Sequence, residues 1–105
     1  MNDEPVVYFE SRRAFFEELA RTTAEIEGLA AREPNYPVWG SILRQLRAMA
    51  EWTANGKDPT PQQRGAVSIG LICARELEPT QGPQLDALCP RLHLLNAYWR
   101  EWPSA

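Results

Sequence analysis

Apolar side chains recur along the chain in four helical stretches separated by proline-rich joints. From Ser11 to Arg32, Phe15, Leu19, Ile26 and Leu29 return at spacings of four, seven and three, with Phe16, Ala20 and Ala30 beside them. That is the period of one helix face. Ser11 is placed as an N-cap, and Glu17 stands four residues before Arg21, a favourable pair on a helix. Glu33-Pro34-Asn35-Tyr36-Pro37 reads as a loop whose two prolines stop one helix and start the next. From Pro37 to Thr53 a second stripe holds Trp39, Ile42, Leu43, Leu46, Met49, Ala50 and Thr53. Asn55-Gly56 closes it, because glycine adopts the left-handed conformation that ends a last turn.

The third stretch, Thr60 to Leu77, is the one around which the others are expected to pack. Thr60-Pro61-Gln62-Gln63 spells a capping box with proline at the first helical position. Gly65 to Ala74 then carries no charge, and a helix apolar nearly all round is a buried helix. Gly70 in its middle costs about 1 kcal/mol of helix propensity against alanine, which predicts the close approach of another helix. After the joint Glu78-Pro79-Thr80-Gln81-Gly82-Pro83, the residues Leu85, Leu88, Leu92, Leu95, Trp99 and Trp102 form a heptad seam. Its register persists through Pro90, which predicts a kink there and not a stop.

Together these stretches predict an all-α, single-domain antiparallel helical bundle of four main helices spanning residues 1–105. Residues 1–10, with the apolar run Val6-Val7-Tyr8-Phe9, form an N-terminal arm. A chain of this length buries roughly 65% of its unfolded surface, enough for a core without disulfides or metals.

Composition narrows the function. The net charge of −3 argues against nucleic acid, whose binding depends on clustered positive charge. No apolar run is long enough to span a membrane. The acidic start, Met1-Asn2-Asp3-Glu4-Pro5, lacks the layout of a signal peptide. The expected location is the cytoplasm, where Cys73 and Cys89 default to buried thiols.

A search for catalytic patterns returns little. His93 is the only histidine and lies one residue off the apolar seam, so it reads as a boundary residue. Neither a phosphate-binding glycine loop nor a nucleophile elbow is present. Cysteine spacing typical of metal sites is also absent. No catalytic residue, cofactor or metal is therefore expected. One enzymatic alternative is a helical chorismate-mutase-like site built from Arg12, Arg13, Arg44, Arg47, Gln45 and Glu51. Another alternative is a helical adaptor subunit that uses the heptad seam to associate; whatever its role, the chain is also a candidate homodimer when free. The glutamates of the first helix, Glu17, Glu18, Glu25, Glu27 and Glu33, read either as a solvated face or as an acidic surface for a basic partner.

Two blocks carry a resemblance. Arg32, Pro34, Tyr36, Val38, Ser41, Gln45 and Leu46 form the first. Ile69-Gly70-Leu71-Ile72, Arg75-Glu76-Leu77, Thr80 and Pro83-Gln84-Leu85 form the second. They resemble a small all-helical family of bacterial type VI secretion immunity proteins, over roughly residues 32–85. The acidic N-terminus, the loop before Thr60 and the Leu92–Trp102 seam depart from that pattern. The resemblance implies a cytoplasmic, non-enzymatic inhibitor. Its partner would be the toxin domain of a cognate secreted effector, best known as an NAD(P)+ glycohydrolase, with the inhibitor occluding the active site. The residues expected to bind that partner are Glu17, Glu18 and Glu25 on the first helix, with Tyr36, Trp52 and Glu76.

Overall fold

The computed structural model describes residues 9–79 and 82–103. Most of the expected N-terminal arm, residues 1–8, lies outside the described residues, as do Thr80 and Gln81 of the last joint. The protein is a small all-α bundle of four main helical elements, the third broken into two short helices, and no strand occurs among the described residues.

Ser11 caps α1 (Arg12–Arg32), its hydroxyl accepting the Ala14 N–H at 3.0 Å. One face of α1 buries Phe15, Leu19, Ile26 and Leu29. Thr22 fills the seven-residue gap in that stripe, buried with its hydroxyl donating to Glu18 Oε2 at 2.8 Å. Arg13 pairs with Glu17, and Arg21 with Glu18, so the expected Glu17–Arg21 pair gives way to neighbours on the same surface. The loop at Glu33 folds α2 (Pro37–Trp52) onto α1, and Trp39, Ile42, Leu43, Leu46 and Met49 meet the α1 stripe in one core. Ala50, placed in the stripe by spacing, is exposed. Asn55 and Gly56 both take positive φ after α2, at 63° and 79°.

α5 (Pro83–Glu101) runs through Pro90 as one helix. Pro90 and Asp86, whose carbonyl loses its helical donor there, are both exposed, so water can serve that carbonyl. The seam residues Leu88, Leu92, Leu95, Trp99 and Trp102 are buried in the chain's own core. The seam is thus not free to join a second subunit, which removes the structural basis of the adaptor reading. At the far end of the core, Phe15 stacks on Tyr98 with centroids 4.6 Å apart, and Phe9 meets both edge-on. The Trp102 indole N–H donates to Asp58 Oδ1 at 3.0 Å beneath the Arg12 guanidinium, which closes this end.

The third element departs from expectation. The capping box forms: Thr60 Oγ1 accepts the Gln63 N–H at 3.1 Å and Gln63 Oε1 accepts the Thr60 N–H at 2.9 Å. The helix it opens, α3 (Pro61–Ala66), nevertheless stops after six residues, and none of them is buried. Val67 is extended, with φ −94° and ψ 125°. The chain restarts as α4 (Ile69–Ile72), which continues into a π-helical turn, Cys73–Leu77. The break lets Val67 and Ile69 both enter the core. In an unbroken helix, residues two apart point about 200° away from each other, so only one could do so.

Side-chain amides from two other helices take up the backbone groups freed by the break. From α2, Gln45 Oε1 accepts the Ser68 N–H at 2.6 Å while its amide nitrogen donates to Ser68 Oγ at 3.1 Å. From α5, buried Asn96 Oδ1 accepts the Gly70 N–H at 2.7 Å. The Trp99 indole N–H donates to the Gln63 carbonyl at 3.0 Å. The close approach expected at Gly70 is present. A Cβ added there would stand 3.2 Å from both Asn96 Oδ1 and His93 Nδ1.

Candidate partner-binding surface

Three of the six expected partner-binding residues lie on α1, and all three are engaged within the molecule, Glu18 and Glu25 by another helix. The guanidinium of Arg91 on α5 donates to both Glu25 oxygens, at 2.7 and 2.9 Å, and lies 3.6 Å from Glu18 Oε2. The Glu18 side chain is only 16% exposed. The rest of the acidic face is likewise partnered: Glu17 by Arg13, Glu27 by Arg47 at 2.7 Å, and Glu33 by the Trp39 indole N–H at 2.7 Å. Charge on this face therefore serves largely to bind α1 to its neighbours. Trp52 is half-buried and stacked on Trp99 at 6.2 Å. It sits at the far end of α2 from Tyr36, about 24 Å away at 1.5 Å per helical residue.

Tyr36 and Glu76 do come together. The Tyr36 hydroxyl donates to the Glu76 carbonyl at 3.3 Å, joining the α1–α2 loop to the π turn. The Tyr36 ring meets Trp39 edge-on at 5.7 Å. Partial burial, then the Glu76 and Glu33 carboxylates, push the Tyr36 phenol above its ordinary value. It remains a hydrogen-bond donor at neutral pH. On the preceding α4, Leu71 is 52% exposed, and Ala74, Arg75 and Glu76 are exposed along the π turn. A groove of about 570 Å³ runs between this element and α5, lined by Leu71, Ala74, His93, Ala97 and Arg100. The exposed leucine and the arginine of this element, one of the residue types enriched at protein interfaces, make it a candidate contact surface.

Leu71 was missed because it lies inside the charge-free run. The signal was available: Ala74, Arg75 and Glu78 follow at three, four and seven residues, and two of these are charged, so residue 71 shares an outward face. Of the six residues of the enzymatic alternative, five have separate partners. Arg12 bonds Asp58, Arg13 bonds Glu17, Arg44 bonds Ser41, Arg47 bonds Glu27 and Gln45 bonds Ser68.

Comparison with known families matches residues 15–93 to Tsi6. The chain belongs to the Tsi6 family. Tsi6 is a type VI secretion immunity family, and membership implies binding to a cognate toxin effector. No curated protein and no solved structure gives a significant match. The Tsi6 match begins at the core residue Phe15 and ends at His93, within α5. It takes in Tyr36, Leu71, Glu76 and the Gln45–Ser68 clamp, while Asn96, Trp99 and Trp102 lie beyond it. No helix among the described residues is long and apolar enough to cross a membrane.

Proposed function

We propose that this protein neutralises the toxin domain of a cognate type VI effector by covering its active-site cleft, and that the toxin consumes NAD(P)+. The observation that carries the reading is the Tsi6 match across residues 15–93. Occlusion requires a scaffold that is rigid before contact, since ordering on binding subtracts from affinity. A net charge of −3 favours steering toward the basic cleft of a nucleotide-binding enzyme. On this reading the protein acts in the cytoplasm and has no catalysis of its own.

The surface assigned to the toxin is the outer side of α4 and the π turn, carrying Leu71 and Glu76, with the groove along α5 and with Tyr36 where its hydroxyl meets the Glu76 carbonyl. Glu17 stands near the start of α1, paired with Arg13, and is not part of this surface. Glu18 and Glu25 hold Arg91 and support the scaffold, and Trp52 supports the aromatic end of the core.

The test titrates the purified protein into the C-terminal domain of the effector encoded beside it, by calorimetry, with NAD+ turnover followed in parallel. Nanomolar binding with one-to-one loss of turnover is expected. Tight binding to a toxin that turns over no NAD+ would keep the inhibitor role and replace the toxin chemistry. Absence of binding at micromolar concentration would remove the inhibitor role.

A further inference from the structure

Cys73 opens the π turn and Cys89 lies in the first half of α5; both are buried free thiols. Within the turn the Glu78 N–H bonds the Cys73 carbonyl at 2.9 Å, a five-residue reach. Such turns insert one residue into a helix and occur often at functional sites. Here the turn brings Glu78 back toward Cys73. Both Sγ atoms and a Glu78 carboxylate oxygen lie within 4.8 Å of one another. His93 follows Cys89 by four residues, on the same face of α5, and its Nε2 stands 2.5 Å from Glu78 Oε2. A cavity of about 420 Å³ lined by Glu78, Leu85, Asp86, Cys89 and His93 gives solvent access to the group.

We infer that Cys73, Cys89 and Glu78 form a binding site for a thiophilic divalent cation of the zinc class, with His93 orienting the carboxylate. Two sulfurs and one carboxylate oxygen suit zinc, at about 2.3 Å for sulfur and 2.0–2.2 Å for oxygen. In a tetrahedron those lengths place ligand atoms about 3.6–3.8 Å apart, so contraction by about 1 Å closes the group. Magnesium and calcium prefer all-oxygen sites and are disfavoured by the sulfurs. The fourth ligand comes from the cavity side, as water or as Asp86 one turn before Cys89. Both cysteines enter as thiolates, their two protons leaving to solvent as the two metal–sulfur bonds form. His93 plays the outer role common to metal sites, where ligating carboxylates are themselves hydrogen-bonded. A bound metal would tie the π turn to α5 next to the Tyr36–Glu76 corner. The site stands on geometry independent of the inhibitor reading.

The test uses the full chain, reduced and metal-free, titrated with cobalt(II) and then with zinc. One equivalent of cobalt should give a thiolate charge-transfer band and intense visible bands of a tetrahedral site, and zinc should abolish both. Cys89→Ser should lose the charge-transfer intensity of one sulfur and much of the affinity. His93→Ala should keep the bands and weaken affinity about 10- to 100-fold. Glu78→Ala, at an exposed position, leaves the fold intact and should change the visible spectrum. No thiolate band at equimolar cobalt, or identical spectra in Cys89→Ser and Glu78→Ala, would overturn the assignment.

Discussion

Replacing Asn96 by alanine tests whether amides from other helices hold the break in the third element. In the native protein Asn96 Oδ1 accepts the Gly70 N–H at 2.7 Å, and both residues are buried. Asn96→Ala leaves that N–H without an acceptor, and an orphaned buried donor costs about 1–3 kcal/mol. Water entering the space left by the amide would recover part of it, so about 2 kcal/mol is expected. For a domain of this size each kcal/mol lowers Tm by about 4–8 °C. Urea denaturation should show a lower midpoint with an unchanged slope. Gly70→Ala gives the complementary perturbation. Its Cβ would stand 3.2 Å from both Asn96 Oδ1 and His93 Nδ1. Overpacking costs about 1–3 kcal/mol, against a gain of about 1 kcal/mol in helix propensity. In the double variant one of the two close contacts is gone, so the combined loss should fall short of the sum by at least 0.5 kcal/mol, as for residues in contact. A loss under about 0.5 kcal/mol for Asn96→Ala, or additivity within about 0.3 kcal/mol, would refute the clamp.

Arg91→Met should cost about 2–3 kcal/mol in urea denaturation, because it leaves Glu18 and Glu25 without their shared cation; the figure is discounted from the 3–5 kcal/mol of a fully buried pair since Arg91 remains 24% exposed. Leu71→Arg should leave Tm within about 2–4 °C, as expected for an exposed position, yet weaken toxin inhibition more than tenfold; equal inhibition by the variant would move the docking surface elsewhere. Burial first, then the Cys89 thiol and the Glu78 carboxylate, push the Cys73 thiol up. In the metal-free protein, as pH rises past the ordinary thiol value of 9.0, the unfolded chain loses a proton that the folded chain keeps. Stability should then fall by up to about 1.4 kcal/mol per pH unit, and Cys73→Ala should flatten that alkaline limb.

Features made by residues close in sequence were legible before the structure. The Ser11 cap, the Thr60–Gln63 box, the left-handed Gly56 and the α1 and α2 stripes depend on neighbours within a few residues. The continuous helix from Thr60 to Leu77 was misread because its break is made elsewhere. Gln45 lies 23 residues from Ser68, and Asn96 lies 26 from Gly70. Propensity gives way to such tertiary partners. The same reason governs the acidic face. Composition exposed five glutamates on the first helix, but the cation that holds Glu25 is 66 residues away. Cys73 and Cys89 read as a pair of buried thiols whose contact spacing alone could not decide; the π turn and α5 bring them together.

The clamps also bear on how an inhibitor of this size could bind tightly. Leu71 and Glu76 stand on α4 and the π turn, a short element that could not hold helical structure alone, because isolated helices this short are unstable in water. Gln45 and Asn96 fix its start, and Trp99 holds the end of α3 before it. Tyr36 holds its end through the Glu76 carbonyl. The exposed side of the element is thus ordered by its buried side, and the ordering is complete before a partner arrives. Each rotamer-rich side chain immobilised only on binding would subtract about 0.5–1.5 kcal/mol from affinity. Weakening the clamp should therefore reduce inhibition even though Asn96 lies on the inner side of the element. Loss at Leu71 would reflect a missing contact, whereas loss at Asn96 would reflect a surface that must be ordered during binding.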